Sequence, residues 1–149
     1  MPPRLEGIAF QVEDASAMNE LRRVWGARAS GHLHFQAGIT ISARSRGSHV
    51  GLITAYTRTL PAPLEAALET YIDLLEVTPE FRDRGLASRL VEMAMAHAKS
   101  LGHYQVRAWS SRDKADAIHT WAKLGFGLHP ASTLLQGKEV LGFFATKTL

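Results

Sequence analysis

Apolar residues along the chain follow two different repeats, and each repeat predicts one kind of element. Short apolar or alternating segments predict β-strands. In chain order these segments are residues 8–12, 39–43, 50–56, 71–77, 104–109, 126–135 and 139–146. The turns at 46–48 and 136–138 contain glycine and predict hairpins. Residues 60–63 end the third strand, because proline cannot donate to the hydrogen-bond ladder of a sheet.

Three other segments repeat their apolar residues at helical spacing. The first follows the capping residues Asp14 and Ser16 and has its apolar residues between 17 and 25. The strongest helix covers 85–101, and another covers 113–124; each is followed by a glycine. The stretch 26–38 is ambiguous and is compatible with a second short helix. Strands and helices that alternate between terminal hairpins predict an α/β fold, with helices covering a mixed sheet.

The composition is that of an ordinary globular chain. Of the 149 residues, 46% are apolar and 21% are charged, and this length fits one domain spanning 1–149. No apolar run approaches the roughly 20 residues that cross a bilayer, so we expect no membrane partner. The chain has no cysteine, which excludes disulfides, thiolate metal clusters and a cysteine nucleophile. The first residues lack the apolar core of a secretory signal, and we expect a cytoplasmic protein.

Charge is distributed unevenly along the chain, although the formal net charge is only +3. Residues 61–80 contain five acidic residues and no lysine or arginine, whereas residues 81–149 contain ten basic and five acidic residues. This change of sign predicts two neighbouring subsites of opposite charge. The simpler alternative is a set of solvated surface charges.

The segment that carries chemistry runs from Val77 to Ser88. A strand ends at a proline, a charged loop follows, and Gly85 with small residues opens a helix. Helix N-termini expose unpaired N–H groups and bind phosphates readily. Gly85 allows a close approach of the backbone, and Arg82, Arg84 and Arg89 add countercharge. The segment lacks both the G-x-G of a dinucleotide site and the Gly-Lys-Ser/Thr of a P-loop, so it predicts a different kind of phosphate site.

Two motifs in this half of the chain resemble a known family. Arg82-x-x-Gly85-x-Ala87, reached through Leu75-x-Val77-x-Pro79, resembles the pyrophosphate-binding motif of the GNAT superfamily of acyl-CoA dependent N-acyltransferases. Downstream, Ala117-x-x-x-Trp121-x-Lys123-Leu124-Gly125-Phe126 is similar to the family's helix that ends in Leu-Gly-Phe. Residues 50–53 also resemble its third strand. The resemblance spans residues 48–126, and the order of predicted elements agrees with it.

The resemblance implies a mostly antiparallel mixed sheet that splays between its fourth and fifth strands, with about four flanking helices. The gap between these strands would hold the pantetheine arm of acetyl-CoA, the implied co-substrate, and no metal is implied. The backbones of Leu75 and Val77 would contact pantetheine and the acetyl carbonyl. The pyrophosphate would be held by the backbone amides of Arg82, Asp83, Arg84, Gly85, Leu86, Ala87 and Ser88.

The same resemblance implies that a substrate amine attacks the thioester directly and passes through a tetrahedral intermediate. Because an amine with a pKa near ~10 is mostly protonated at neutral pH, a base must remove a proton. Strand alternation places one set of residues on a common face, namely Tyr71, Asp73, Leu75 and Val77. Asp73 is the preferred base ahead of Tyr71, and Glu76 and Glu69 are alternatives. An equally simple interpretation is that Asp73 binds a cationic substrate without taking a proton.

One position departs from the family pattern. Many members carry tyrosine where this chain has Trp121, and an indole N–H is not a usable acid at neutral pH. Tyr104, Ser110 and His119 are the candidate acids, and otherwise the thiolate leaves unassisted. Trp121 itself either contacts pantetheine or packs in the core. Lys114 replaces a family asparagine and is expected near a phosphate.

Two other classes of function stay open. A catalytically impaired acyl-CoA sensor is consistent with Trp121. A nucleic-acid binder is disfavoured, because the chain has no basic patch interleaved with aromatic residues. His32 and His34 form a His-x-His pair, but no third ligand lies at a companion spacing, so we interpret them as ordinary surface or core residues.

The expected partners are acetyl-CoA and an amine acceptor. The acceptor, a small amine or an amine of a peptide or protein, is left open, because no motif is recognisable in 26–38 or 60–70, where its selectivity would lie. In the last strand, Phe143 and Phe144 most simply contribute to the core, and with Gly142 they are also candidates for a homodimer contact.

Overall fold

The computed structural model describes residues 5–149, and a seven-stranded sheet forms its centre. In chain order the strands are β1 (Ile8–Val12), β2 (Gly38–Ser45), β3 (Ser48–Thr59), β4 (Leu68–Val77), β5 (Gln105–Ser111), β6 (Gly127–Leu135) and β7 (Lys138–Thr148). Their order across the sheet is β1-β2-β3-β4-β5-β7-β6. Every neighbouring pair is antiparallel except β4 and β5, which are parallel. The predicted mixed, mostly antiparallel sheet is therefore confirmed.

Four α-helices accompany the sheet in the described part of the chain, as the sequence predicted. They are α1 (Met18–Trp25), α2 (Ala27–Ser30), α3 (Leu86–Ser100) and α4 (Ala115–Lys123). Short 3-10 turns precede α1 at Ala15–Ala17 and α3 at Pro79–Phe81. The second short helix expected in 26–38 is α2, a single turn directly after α1.

Both faces of the sheet are covered by helices. On one face α3 inserts an unbroken apolar stripe, of which Leu90 and Val91 are fully buried, and Trp121 of α4 joins the same cluster. On the other face Leu21 of α1 packs with Leu33 and Leu52 in a smaller cluster. Because Leu33 follows α2, this cluster also holds the segment 31–37 against the sheet.

The parallel pair β4–β5 is hydrogen-bonded over a short distance. The ladder joins Glu69–Ile72 to Gln105–Ala108 and goes no further, although both strands continue. The predicted splay between the fourth and fifth strands is therefore confirmed. Residues 74–77 of β4 remain paired with β3 on one side and have no β5 partner on the other.

A β-bulge at Asp73 lies where the two strands part. Thr54 of β3 pairs with Leu74, whereas the next residue, Ala55, pairs with Ile72, so Asp73 is the extra residue. The bulge reverses the alternation of β4: Leu75 and Val77 pack with Ile72 in the larger cluster, and Leu74 packs in the smaller one. The prediction that Tyr71, Asp73, Leu75 and Val77 share one face is therefore wrong beyond the bulge.

Both predicted hairpins are present, and several strands, β3 and β4 among them, are longer than predicted. The turns are Arg46–Gly47 and Gln136–Gly137, with φ of 51° and 80° in the first and 51° and 78° in the second. Two consecutive left-handed residues match the twist of an antiparallel hairpin. The ladder between β3 and β4 extends to the pair Thr59 and Leu68, beyond the predicted strand ends at 56 and 71.

Candidate active site

The loop between β4 and α3 ends in a helix N-terminus without a side-chain cap. Asp83 has φ 62° and Gly85 has φ 84°, and these left-handed residues turn the chain directly into Leu86. The amide of Arg89 makes the bond to the Gly85 carbonyl. The earlier amides of α3, those of Leu86, Ala87 and Ser88, have no carbonyl partner within the helix. The arrangement can hold an anion at these amides.

Three exposed arginines surround this helix N-terminus. The Arg82 Nε donates to the Val77 carbonyl at 3.2 Å, which ties the loop to the end of β4. The Arg84 guanidinium lies 4.6 Å from the centre of the Phe81 ring, a cation–π distance. Arg89 lies 3.8 Å from Glu92 on the surface of α3. Their charges add to the partial positive charge of the helix terminus.

The strand gap opens beside this loop. The side chains of Leu75 and Val77 pack against the core, and their backbones have no partner in β5. The Val77 carbonyl accepts the hydrogen bond from Arg82. Lys114 follows β5 and precedes α4, and its side chain is exposed. Parallel strands end at the same edge of a sheet, so Lys114 and the loop after β4 lie at the same edge. The gap, the helix N-terminus and Lys114 therefore lie at the same end of β4 and β5.

Asp73 lies at the mouth of the gap, the point where β4 and β5 part, and it contacts two histidines. The His34 Nε2 lies 2.8 Å from Asp73 Oδ2, and the His32 Nδ1 lies 3.2 Å from the same oxygen. The Asp73 side chain is 18% exposed, which leaves a path to solvent. The His34 ring lies 4.5 Å from the Tyr56 ring, measured between centroids. Sequence reasoning missed the role of both histidines, since they lie about 40 residues before Asp73 and no local pattern links them to it.

Tyr71 and Glu69 occupy the closed part of the strand pair. Burial raises the pKa of the Tyr71 phenol, and the nearby Arg58 guanidinium, 4.4 Å from the ring centre, opposes this. A phenol of raised pKa stays protonated at neutral pH and makes a poor base. Glu69 is fully buried and accepts hydrogen bonds from Gln105 at 2.8 Å and Arg107 at 2.5 Å. These contacts give Glu69 a structural role.

The acidic segment 61–80 does not present all its charges to a ligand. Glu69 is neutralised by Arg107, and Asp73 is hydrogen-bonded to histidines. Glu76, the alternative base, is half-buried and pairs with Leu52 of β3, on the α1 side of the sheet. Glu69 is therefore removed from the predicted acidic subsite, and Asp73 and Glu76 are its members beside the gap.

Trp121 and Tyr104 lie away from the positions that catalysis would require. Trp121 is 2% exposed, and its indole N–H donates to the Ser110 hydroxyl at 3.0 Å. This burial favours the packing role over contact with pantetheine. Tyr104 precedes β5 at the closed end of the pair, where its amide donates to the Leu68 carbonyl. The structure does not bring Tyr104 to the gap, which removes the basis for Tyr104 as the general acid.

Comparison with known proteins assigns the family. The chain matches the model of the acetyltransferase (GNAT) family over residues 6–126, and it therefore belongs to this family. No curated protein sequence matches the chain.

Solved structures show the same fold at low sequence identity. NAA60 of Arabidopsis thaliana in complex with acetyl-CoA is 14% identical with a TM-score of 0.77, covering 95% of this chain and 99% of that chain. YncA of Salmonella typhimurium with acetyl-CoA is 14% identical with a TM-score of 0.71, covering 96% and 94%. The ribosomal-protein-S18-alanine N-acetyltransferase of Escherichia coli is 10% identical with a TM-score of 0.71, covering 95% and 93%.

The described residues contain neither a candidate metal cluster nor a helix that could cross a membrane. Within residues 5–149, no group of three or more histidine or acidic side chains is arranged to hold a metal ion. In the same range, no helix has the length and apolar character needed to cross a bilayer.

Proposed function

We propose that this chain is an N-acetyltransferase that transfers the acetyl group of acetyl-CoA to a primary amine. The observation that carries the proposal is the short β4–β5 ladder, which ends at Ile72 and Ala108 beside the uncapped N-terminus of α3. A gap with unpaired strand backbone and an adjacent anion site matches a ligand with an extended amide-bearing arm and a diphosphate. Acetyl-CoA has both features, and it is the co-substrate of the family.

On the donor side, each part of the coenzyme meets a different part of the region. The backbones of Leu75 and Val77 pair with the pantetheine arm as an added strand would. The amides of residues 82–88 hold the pyrophosphate, with countercharge from Arg82 and Arg84. Lys114 lies at the same edge and is placed to contact a phosphate. Trp121 supports this region from the core.

On the acceptor side, proton removal is organised around Asp73. The amine nitrogen attacks the thioester carbonyl carbon and forms a tetrahedral intermediate, and the nitrogen must lose a proton. Asp73 and its two histidines lie on the α1–α2 side of the sheet, where the gap opens. The thiolate then leaves without a protein acid, which its own low basicity allows.

The alternative is an acyl-CoA binding domain that does not catalyse transfer. The observation that favours it is Trp121, whose indole is buried and hydrogen-bonded to Ser110 where many members place a tyrosine hydroxyl. This alternative keeps the coenzyme site and removes only the chemistry.

One assay separates the two candidates. The purified chain is incubated with acetyl-CoA and each of four acceptors: spermidine, kanamycin, an alanine-initiated peptide and a peptide with an internal lysine. The proposal predicts that at least one acceptor raises the release of free thiol above the acceptor-free rate, with a matching mass gain of one acetyl group. Saturable acetyl-CoA binding without thiol release from any acceptor would favour the sensor.

A further inference from the structure

Two imidazoles share one oxygen of a single carboxylate at the mouth of the strand gap. The His32 Nδ1 and the His34 Nε2 lie 3.2 Å and 2.8 Å from Asp73 Oδ2. An ionised carboxylate only accepts hydrogen bonds, so each histidine uses the nitrogen facing Asp73 as a donor. The contacts therefore fix which ring nitrogen of each neutral imidazole carries the proton.

This tautomer assignment leaves the two histidines unequal. In His32 the donor is Nδ1, so the basic lone pair is at Nε2, the outer tip of the ring. In His34 the donor is Nε2, so the lone pair is at Nδ1, beside its own backbone. The His32 side chain is 44% exposed and the His34 side chain is 22% exposed. Only His32 therefore offers its basic nitrogen to a ligand outside the protein.

His34 is held more firmly than His32. Its backbone amide donates to the Thr40 hydroxyl at 3.2 Å, and the same hydroxyl donates back to its carbonyl at 2.6 Å. Thr40 is fully buried in β2, and the His34 ring lies against Tyr56. An anchored donor at 2.8 Å fixes the orientation of the Asp73 carboxylate. His34 has the geometry of a positioning residue.

We infer that His32 is the general base of the proposed transfer, that Asp73 orients it, and that His34 positions Asp73. This inference rests on the proposed function. The arrangement follows the logic of an acid–histidine pair, in which a carboxylate holds Nδ1–H and the Nε2 takes the proton. An imidazole suits this role better than a carboxylate does, because its ordinary pKa lies closest to neutral pH.

The free amine, which is the minor form at neutral pH, bonds through its nitrogen to the acetyl carbon, and the nitrogen of the tetrahedral adduct gives one proton to His32 Nε2. The C–S bond breaks, and its electron pair leaves on sulfur as the coenzyme A thiolate. The Asp73 carboxylate stabilises the imidazolium until its proton passes to the thiolate or to water.

The test uses the best acceptor of the four-amine panel and three variants. His32→Ala removes the imidazole and leaves space for a free one, and His32→Gln keeps most of the volume without a basic nitrogen. His129→Gln is the matched control, because His129 is an exposed histidine on the edge strand β6. The readouts are kcat/KM across pH, its response to added imidazole, and the Kd for acetyl-CoA.

The inference predicts that both His32 variants lose about 100-fold or more in kcat/KM, with the Kd for acetyl-CoA within about twofold of wild type. In His32→Gln, the rise of kcat/KM with pH keeps only the part that comes from deprotonation of the amine and loses the part that comes from His32. Added imidazole restores part of the activity of His32→Ala. The His129→Gln variant keeps the wild-type profile.

A different set of results overturns the inference and leaves the proposed function standing. If wild type transfers acetyl groups but His32→Gln retains its rate and pH profile, His32 is not the base. His32 has a structural role if two results occur together. Imidazole does not restore the activity lost in His32→Ala, and the pH profile of His32→Gln keeps the wild-type shape. If wild type releases no thiol with any amine, the proposed function fails first and the inference fails with it.

Discussion

Asp73 is the residue at which the donor and acceptor sides of the proposed reaction meet. It is the bulged residue of β4, the first one beyond the β5 ladder, and the carboxylate that both histidines contact. The bulge turns Asp73 away from the larger core cluster, which holds Leu75, and the Asp73 side chain therefore faces the α1–α2 side of the sheet. The bulge thus separates the backbone of Leu75 and Val77, which is proposed to contact the coenzyme, from the Asp73 carboxylate, which is proposed to act on the acceptor.

Replacing Asp73 by asparagine tests this position. Asp73→Asn keeps the size and removes the charge that orients the histidines and stabilises an imidazolium. We expect kcat/KM for the amine to fall by about 100-fold or more, while the Kd for acetyl-CoA stays within about twofold. Steady-state kinetics and calorimetry measure the two quantities. Glu139→Gln, an exposed acid at the start of β7, is the control; equal losses of turnover and coenzyme affinity in Asp73→Asn would contradict the assignment.

His103 makes the folded state sensitive to pH. Burial lowers the pKa of His103, with a smaller contribution from His97, and its Nδ1 lies 2.6 Å from the Thr70 hydroxyl. A histidine whose pKa is lowered by folding binds fewer protons in the folded state than in the unfolded state. The free energy of unfolding is therefore highest above about pH 6.5 and declines as the pH falls below that value. We expect the decline in Tm between pH 7.5 and 5.5 to be smaller in His103→Gln than in wild type. An equal decline in both proteins would show that His103 is not its source.

The identity of Asp73 as a candidate was predictable from sequence, whereas its partners were not. The spacing from Val77 pointed to Asp73 through the family resemblance. His32 and His34 belong to an irregular segment without periodicity, and the packing of Leu33 together with the Thr40 hydrogen bonds to His34 brings them to the sheet. For Tyr104 the error goes the other way. Its proximity in sequence suggested that it is the general acid, but it lies at the closed end of the β4–β5 pair.

At the scale of the element, α3 is the structure on which the coenzyme loop depends. Leu86, Leu90 and Val91 are at most 1% exposed and fix the helix against the sheet. The N-terminus of α3 is therefore held next to the strand gap by apolar packing, since no side chain caps it. The 3.6-residue periodicity of the sequence is enough to predict this apolar stripe.

Truncating the centre of this stripe should destabilise the whole fold. Leu90→Ala removes a fully buried side chain, and we expect a loss of about 2–5 kcal/mol in the free energy of unfolding. Glu92→Ala is the matched control on the same helix, where the exposed contact with Arg89 is worth about 0–1 kcal/mol. Denaturant unfolding measures both. A loss below about 1 kcal/mol in Leu90→Ala would show that α3 is not fixed by this packing.

Elements with a strong local pattern were predicted well, and features decided by pairing were not. The hairpins and the long helix follow from glycine turns and periodicity. The bulge at Asp73 depends on how β3 and β4 align, so strand alternation alone gave the wrong face for Leu75 and Val77. The extra length of β3 and β4 likewise comes from their mutual ladder.

At the scale of the whole molecule, the sheet separates two chemical environments. The basic loop and the N-terminus of α3 lie at one edge, and the cluster of Asp73 with its histidines faces the α1–α2 side. The block of acidic residues predicted the separation of acidic and basic environments only in part, because Glu69 is buried and hydrogen-bonded to Arg107 and Gln105. The gap between β4 and β5 lies between the two environments.

Binding of acetyl-CoA to this gap and loop is the central claim, and titration calorimetry tests it most directly. Gly85 and Gly137 have similar φ, 84° and 78°, and a Cβ at either would meet nothing within 4 Å. Replacing either glycine by alanine therefore imposes a similar backbone strain of about 1–2 kcal/mol, but only Gly85 lies in the phosphate loop.

We predict saturable one-to-one binding by wild type, unchanged affinity in Gly137→Ala, and affinity lower by about tenfold or more in Gly85→Ala, equivalent to ~1.4 kcal/mol. No saturable heat from wild type, or equal affinities in the two variants, would contradict the account.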